Sequence, residues 1–495
     1  MISRFGGLIR DSILAGLLGG GWVADAYATA LKIPNMLRDL LGEGALSSVV
    51  VARLGAIGND RERSKRLVRE LMGFWMIVLG GVACLGVLGA PLLVKVIAYG
   101  FDRPEQIELS IHLTRIIFPY VAIIGLAALS MGVLHHLRAF GWSSSASSFS
   151  NLSMIILLLG GAFFFKDNLN AMSTWIALSV VLSGLVQWAT LLPGFKGSGI
   201  SLVPLYKFND SEIWNIVKLL GPSVLSVAAV QINVAVNHGF ASALEEGSAS
   251  SVYYAFRIMS LPVGIVGVAV STVLLPTLTG YVREKRQKDF QHEVAQALIT
   301  GSFLTIPAVA GLFVIGPNLI ALLYQRGQFN SHHSQMVWLA LQGFLFGVLP
   351  YVYNKSLVQA YFAHSDTKFP LKISLLSIAV NGALNAYMVY GLCWGIRGLT
   401  LGTSGVLLCN SLFLMLGLKW KHGYSMPWNK IIPAMSTMVV LSVGMAFGIA
   451  FLSHYGPKSV WITLIYTALG GAFYLGMWYV IKKSTNWDFR KINNI

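Results

Sequence analysis

The stretch "WMIVLGGVACLGVLGAPLLVKVIAYG", residues 75–100, decides the fold class of this chain. It carries one charged residue, Lys95, and is longer than the roughly 20 apolar residues that a helix needs to cross a bilayer. It also lacks the alternation of apolar and polar residues that is typical of a strand in a membrane β-barrel. The stretch therefore predicts a transmembrane helix.

Apolar stretches of this kind recur along the whole chain of 495 residues, of which 55% are hydrophobic and 11% are charged. A soluble domain carries roughly 25% charged residues. We therefore predict an all-α polytopic membrane protein with fourteen transmembrane helices and no separate soluble domain. The predicted spans lie near residues 3–22, 26–54, 69–99, 110–136, 146–165, 172–193, 213–243, 251–282, 292–324, 335–362, 369–390, 397–418, 431–452 and 459–481.

The net charge of +16 is concentrated in short links between the apolar stretches. Links on one side of the predicted membrane are rich in Lys and Arg, as in residues 53–66, 283–288 and 419–430, whereas the opposite links hold few bases. Because basic links stay on the cytoplasmic side of a membrane, this bias predicts that both termini are cytoplasmic. The basic residues orient the chain, and we expect no nucleic acid partner.

Two parts of the chain resemble each other at a nearly constant offset. The matched pairs are Lys32 with Arg257, Ala45 with Ala269, residues 97–104 with residues 323–330, and Asn151 with Asn381. Because six helices per copy is an even number, the copies would share one topology, as in a parallel repeat. We predict an N-lobe of six helices at 1–195, a C-lobe of six helices at 196–425, and two further helices with a cytoplasmic tail at 426–495.

Several charged residues lie inside the predicted spans, where a basic side chain at the bilayer centre costs roughly 2.5 to 3.5 kcal/mol. Such side chains must face protein or water rather than lipid. Pro34 and Pro262 each follow a base in the same span and tend to bend the helix there. The charged residues are Arg4, Arg10, Asp11, Asp25, Lys32, Arg38 and Arg257. We predict that they face a polar cavity between the two copies.

Two simpler interpretations of these charges stay open. Arg4 lies near the start of its span, from which a long side chain can reach the membrane surface. Ion pairs of Asp11 with Arg10, or of Asp25 with Lys32, would neutralise part of the charge. Because the bases outnumber the acids, we still expect a net positive cavity. A planar guanidinium binds two phosphate oxygens at once, so the cavity favours a phosphate-bearing anion.

Other polar residues give weaker signals. Asn237, Asn381 and Asn385 lie inside predicted helices, where they suit either interhelical hydrogen bonds or a small cation. The three cysteines lie far apart and show no metal-ligand spacing. The sequence also lacks a glycine-rich nucleotide loop and a paired nucleophile and base. We therefore predict a transporter rather than an enzyme, without a metal site.

The chain contains four distinctive motifs: "SRFGGLIRDSILAGLLG" (3–19), "DAYATALKIPNMLRDLLGEGALSS" (25–48), "YYAFRIMSLPVGIVGVAVSTVLLP" (253–276) and "YQRGQF" (324–329). Together they resemble the bacterial lipid II flippase family known as MurJ or MviN, a branch of the MOP superfamily. The resemblance extends along the whole chain. Its Pro-Asn-x-Leu-Arg segment with the following Glu-Gly-Ala distinguishes it from the multidrug exporters and O-antigen flippases of that superfamily.

The resemblance implies two six-helix lobes around a central cationic cavity, with the last two helices forming an apolar groove. It implies a monomer in the bacterial cytoplasmic (inner) membrane that takes part in peptidoglycan biosynthesis, and hence in cell wall biogenesis and cell shape. Its partners would be membrane lipids and lipid II, the undecaprenyl-diphosphate-linked disaccharide pentapeptide. Alternating access would move lipid II from the cytoplasmic to the periplasmic leaflet.

The resemblance also implies the site residues. Arg10, Arg38 and Arg257 would bind the diphosphate, and the supporting cavity charges would be Arg4, Asp25 and Lys32. Some relatives bind sodium through carboxylates in the second lobe. The equivalent residues here are neutral, namely Asn237, Asn381 and Asn385. We therefore expect no tight sodium site and no cofactor, and the membrane potential is the candidate driving force.

Three alternative functions stay open. The first is a multidrug or other polyprenyl-lipid exporter of the same superfamily. A multidrug exporter would need acids to bind cationic drugs, but the predicted cavity is basic. A membrane-embedded glycosyltransferase would need carboxylates near the phosphate for acid–base or metal chemistry. A scaffold that binds the lipid-linked precursor without moving it would differ only in a leaflet-resolved assay.

Overall fold

The computed structural model describes residues 2–42, 45–57, 60–165, 168–208, 210–455 and 460–484. Every regular element on these residues is a helix. Four sequence predictions concern residues outside this part of the chain: the Glu43–Gly44 portion of the family motif, two bases in links, Lys166 and Lys458, and the tail from residue 485 onward.

The helices are α1 (Ile2–Leu18), α2 (Trp22–Gly42), α3 (Ala45–Ile57), α4 (Arg61–Ile97), α5 (Pro104–Ile117), α6 (Tyr120–His136), α7 (Phe140–Phe164), α8 (Leu169–Leu191), α9 (Ser211–Ser242), α10 (Ser248–Arg283), α11 (Gln287–Tyr324), α12 (Ser331–Ala363), α13 (Lys368–Ala386), α14 (Gly395–His422), α15 (Trp428–Tyr455) and α16 (Val460–Ser484). A 3₁₀ turn (Leu192–Phe195) follows α8, and a π-helical turn (Tyr387–Gly391) follows α13.

The predicted all-helical class is confirmed, and each predicted span overlaps one helix or two consecutive helices. Among the described residues, nine helical stretches are long and apolar enough to cross a membrane. The structure divides the predicted span 110–136 into α5 and α6 at Pro119, which has no N–H to continue a helix. It also divides the predicted span 26–54 into α2 and α3. The count of fourteen transmembrane helices stays a prediction.

The first helix ends earlier than its predicted span 3–22. Gly19 follows the last turn with a φ of 72°, a left-handed conformation that glycine adopts without steric cost. This conformation ends α1 at Leu18, and α2 begins at Trp22 after two more glycines. The tight turn places the start of α2 directly beside the end of α1.

The long helix α4 shows why these helices suit lipid. Leu85, Leu88 and Leu92 are exposed, and they recur three or four residues apart on one face of the helix. An exposed apolar face of this kind is unusual on a soluble protein. We infer that this face of α4 contacts the acyl chains.

The structure contains two compact units. The first unit is Met1–Ser250 with Tyr324–His333, and it includes α1 to α9. Within it, α9 packs against α2, α3 and α4. The predicted lobe bounds, 1–195 and 196–425, follow the repeat rather than the packing, and they stay a prediction.

The second unit is Ser251–Leu323 with Ser334–Ile495. One buried cluster joins helices α10 to α14 around Phe290, Tyr361 and Leu418. A second cluster, which includes Met438 and Trp478, packs α15 and α16 against α11. The last two helices therefore have an apolar core of their own within this unit.

Candidate functional site

Arg10 lies on α1 and is held by two neighbours. Its Nε and Nη2 donate to Oδ1 of Asp11 at 3.0 and 2.7 Å, and its Nη1 donates to Oδ1 of Asn151 at 3.1 Å. The amide of Asn151 in turn donates to the backbone oxygen of Ser3 at 3.0 Å. The ion pair of Arg10 with Asp11, one of the interpretations left open by the sequence, is present, and Asn151 connects this pair on α1 to α7.

Arg38 lies on α2 in a closely similar arrangement. Its Nε and Nη2 donate to Oδ1 of Asp39 at 3.1 and 2.8 Å. Tyr120 of α6 lies within electrostatic range of Arg38. The second carboxylate oxygen of Asp39 accepts a hydrogen bond from Nε2 of Gln231 on α9, at 3.3 Å. Sequence reasoning did not predict that Arg38 is paired.

Asp25 is buried, and its carboxylate meets the start of α10. Oδ2 accepts from the backbone N–H of Gly247 and Oδ1 accepts from that of Ser250, both at 2.7 Å. These N–H groups lie at a helix N-terminus, where the backbone leaves donors unsatisfied and where negative charge is favoured. Asp25 therefore caps α10 from a position more than 200 residues away in the sequence.

Lys32 lies on α2 between Asp25 and Arg38. Thr29, three residues earlier, donates its hydroxyl proton to the backbone oxygen of Asp25. Because a hydroxyl has one proton, Oγ1 of Thr29 accepts from Nε2 of His238, at 2.8 Å. Lys32 is within electrostatic range of His238, which lies on α9. This face of α2 is thus polar where it packs against α9.

Arg257 lies on α10 in the second unit. Its Nη2 donates to the hydroxyl of Tyr253 one turn earlier at 3.1 Å, and its guanidinium lies 5.1 Å from the centre of the Tyr253 ring. This pairing combines a hydrogen bond with a cation–π contact. For Arg4, the structure gives its position on α1 but describes nothing of its side chain. The joint role of the predicted site residues as a diphosphate site stays a prediction.

The neutral asparagines of the second unit lie together. Nδ2 of Asn385 donates to Oδ1 of Asn381 at 3.2 Å, and both side chains are buried on α13. Oδ1 of Asn385 also lies so close to Gly402 of α14 that a side chain there would collide with it. Asn237 lies on α9, in the first unit. The expectation that these residues hold no sodium ion stays a prediction.

The two loops that matched in sequence occupy equivalent places. After α4, the backbone N–H of Gly100 donates to Oγ of Ser242 at the end of α9, at 3.2 Å. After α11, the backbone N–H of Gln328 donates to the oxygen of Gly16 at the end of α1, at 2.9 Å. Each loop therefore lies on the first helix of the other predicted copy.

Glycines make both contacts close enough to form. A methyl group added to Gly100 would lie 2.3 Å from the backbone of Ala243. A methyl group added to Gly327, whose φ is 55°, would lie 2.3 Å from the oxygen of Gly16. The glycines that anchored the sequence match are thus explained by close backbone packing.

Sequence reasoning missed Asp39, Gln231 and Tyr120 as neighbours of the candidate arginines. The available signal was the presence of polar side chains in apolar helices, which identifies candidates without showing which of them meet. Asn151 was noticed only as a match to Asn381 in the repeat. Its contact with Arg10 depends on how α1 packs against α7, which local sequence does not encode.

Comparisons with known proteins agree with the fold and the motifs. The sequence model of the family described as "Lipid II flippase MurJ" matches residues 14–469. A protein of Rhizobium tropici named "Probable lipid II flippase MurJ" is 31% identical over 457 residues, which cover 91% of this chain and 85% of that protein.

Two solved structures extend the comparison. A lipid II flippase MurJ in an inward closed conformation superposes with a TM-score of 0.81 at 25% identity, over 98% of this chain and 97% of that chain. An inward-facing multidrug resistance MATE transporter of the MOP superfamily gives a TM-score of 0.71 at 15% identity, over 88% of this chain and 96% of that one, and shares the fold alone. The predicted family is confirmed: this chain belongs to the lipid II flippase MurJ family.

Proposed function

We propose that this protein is a lipid II flippase that moves the undecaprenyl-diphosphate-linked peptidoglycan precursor from the cytoplasmic to the periplasmic leaflet of the inner membrane. The observation that carries the proposal is the family match along residues 14–469 together with relatives named for this activity. We further propose fourteen transmembrane helices in two lobes, both termini in the cytoplasm, and a monomer that works without a metal or another cofactor.

The physical task is to carry a diphosphate and its sugars across hydrocarbon. Charged groups do not enter hydrocarbon without compensation, whereas a wet cationic cavity can replace their hydration with charge-assisted hydrogen bonds. We propose that Arg10, Arg38 and Arg257 supply these bonds, with Arg4, Asp25 and Lys32 as supporting charges. The polyprenyl tail stays in or beside the lipid.

The pairing of two of these arginines fits reversible binding. Asp11 and Asp39 each take two hydrogen bonds from the neighbouring arginine. A diphosphate would compete with these carboxylates, so that the arginines bind it without holding it permanently. The carboxylates can take the guanidinium groups back when the head group leaves.

The lobes would alternate between openings on the two sides by rocking about the repeat, as transporters with parallel repeats do. Moving one elementary charge through 100 mV is worth about 2.3 kcal/mol. An inside-negative potential therefore favours the outward movement of an anion. We propose it as the driving force.

The proposal is tested by substitution of the arginines in cells depleted of the wild-type protein. Arg38→Ala and Arg257→Ala should abolish the appearance of lipid-linked precursor at an enzyme added from outside, with expression and insertion near normal. Arg286→Ala is the matched control, because Arg286 is exposed in a link and pairs with Asp289 at 2.8 Å. Precursor export at the wild-type rate in both cavity variants would reject the assigned role.

The exporter alternative is examined with the same cells. If the protein exported cationic drugs, its depletion would raise drug accumulation in the cells. The accessibility of the lipid-linked precursor would stay unchanged. A glycosyltransferase would release a new product from labelled lipid substrate, and a scaffold would bind the lipid without changing its leaflet. The flippase alone changes the leaflet and leaves the lipid chemically intact.

A further inference from the structure

Gln231 is the only described side chain outside α2 and α6 that contacts the Arg38–Asp39 pair through a hydrogen bond between side chains. It lies on α9, is 8% exposed, and donates from Nε2 to Oδ2 of Asp39 at 3.3 Å. An ionised carboxylate can only accept, so the amide nitrogen must be the atom that faces Asp39. Gln231 is therefore the donor in this contact, and Asp39 is the acceptor.

Helix geometry alone does not produce the Arg38–Asp39 pair. Consecutive residues on a helix point about 100° apart and do not face each other, in contrast to residues three or four apart. Both donors of Arg38 nevertheless reach one oxygen of Asp39, at 2.8 and 3.1 Å. Such a geometry needs something to hold the carboxylate, and Gln231 binds its other oxygen.

The pair on α1 allows a comparison. Arg10 and Asp11 are also consecutive, and Arg10 also directs two donors to one carboxylate oxygen. Asn151 of α7 accepts a hydrogen bond from the guanidinium of Arg10, whereas Gln231 donates to the carboxylate of Asp39. Each Arg–Asp pair therefore contacts an amide from a neighbouring helix, on the arginine in one pair and on the aspartate in the other.

We propose that Gln231 is a positioning residue for substrate binding: through Asp39 it fixes the direction of the Arg38 guanidinium toward the diphosphate. The proposal rests on the proposed function, in which Arg38 binds the head group. Without the brace, Asp39 turns more freely and Arg38 samples several orientations. Binding of the head group must then also order the Arg38 side chain, which lowers the affinity.

The distinguishing variant is Gln231→Met, which keeps the length of the side chain and removes the donor. Purified full-length protein in vesicles is measured over a range of lipid II concentrations, with leaflet-resolved detection. We expect the half-saturating concentration to rise about tenfold and the maximal rate to change less than twofold, because an interaction that aids binding alone affects the first quantity. A role in packing alone would lower the amount of folded protein or the maximal rate and leave half-saturation unchanged.

Gln187→Met is the matched control. Gln187 has the same side chain and the same 8% exposure, and it lies on α8 of the same unit. The Gln187→Met variant should keep the half-saturating concentration of lipid II within twofold of wild type. Gln231→Glu, which replaces the donor with an acceptor facing Asp39, should weaken binding at least as much as Gln231→Met.

A double substitution tests the route through Asp39. In an Asp39→Ala background, which removes both acceptor oxygens, Gln231→Met should change half-saturation by less than twofold, because residues in one network are not additive. Full additivity, or an unchanged half-saturation in Gln231→Met alone, overturns the proposal.

Arg38→Ala, measured in parallel, separates this proposal from the function. Loss of transport in Arg38→Ala with unchanged half-saturation in Gln231→Met rejects the positioning role and keeps the flippase assignment of Arg38. Wild-type transport in Arg38→Ala rejects both.

Discussion

The two ends of the segment α2–α3 are surrounded by different kinds of contact. Near the Trp22 end, Asp25 is buried and takes two short hydrogen bonds from the start of α10, and the nearby Gly100 lies on the backbone at the end of α9. At the other end, Arg53 of α3 lies 3.7 Å from Glu212 of α9, and both side chains are partly exposed.

This difference indicates that the two ends separate at different cost. Buried hydrogen bonds to a charged group contribute about 1.5–3 kcal/mol each, and close backbone packing allows no substitute geometry. Partly exposed ion pairs contribute about 0–1 kcal/mol and are screened by salt. We therefore expect substitutions at the first end, the sealed end, to lower stability more than substitutions at the second end, the loosely tied end.

The largest expected effect is that of Asp25→Ala at the sealed end. The substitution leaves two buried N–H groups of α10 without an acceptor, and we expect a loss of about 3 kcal/mol in stability. The apparent melting temperature of the purified protein in detergent measures it. Asp25→Asn keeps one acceptor oxygen and should lie between Asp25→Ala and wild type, and equal melting of all three proteins would contradict the capping role.

Gly100→Ala should have the next largest effect. Its methyl group would press on the backbone of Ala243, which has little freedom to move, and overpacking of this kind costs about 1–3 kcal/mol. The control is Gly89→Ala in α4, where no atom lies within 4 Å of the added methyl group. Equal melting temperatures for the two variants would show that the loop does not fit as closely as described.

Arg53→Gln should have a smaller effect, at the loosely tied end. We expect a loss of about 0.5 kcal/mol, since the pair with Glu212 is partly exposed. The loss should vanish in 1 M salt, where the screening length falls to about 3 Å. A loss as large as that of Asp25→Ala would remove the contrast between the two ends.

The smallest effect concerns Asp210, which precedes α9. The hydrogen bond from Arg63 holds the pKa of this carboxyl below its ordinary value against partial burial, which would raise it. A depressed pKa stabilises the folded state above the ordinary pKa, and that stabilisation is lost as the pH falls through the folded value. Asp210→Asn should therefore show a smaller drop in melting temperature than wild type when the pH is lowered below 4. An identical acid sensitivity of the two proteins would exclude this contribution.

The sequence predicts the helices well because each needs only a long apolar run, as residues 75–100 illustrate. It also identifies Arg10, Arg38 and Asp25 as unusual, since charge in an apolar run is costly wherever it lies. It leaves the pairing of Arg10 with Asp11 open as one interpretation, and the structure shows the pair.

The partners on other helices could not be predicted in the same way. Asp25 caps α10 and Gln231 reaches Asp39, and in both cases about 200 residues separate the partners. Such contacts depend on which faces of two helices meet, and an apolar helix that is polar at one or two positions leaves several faces equally plausible. Gly100 and Gly327 lie in the two loops that match in the sequence repeat. The reason for a glycine at each position becomes visible only when the neighbouring backbone is in place.

The contact between Gly16 and Gln328 has a consequence for biosynthesis. Because synthesis runs from the N-terminus to the C-terminus, α1 is made long before its partner in the loop after α11. Until then, the end of α1 at Gly16 lacks this contact. A truncated chain that stops before residue 324 would keep this surface open, and it should be a target for membrane quality control.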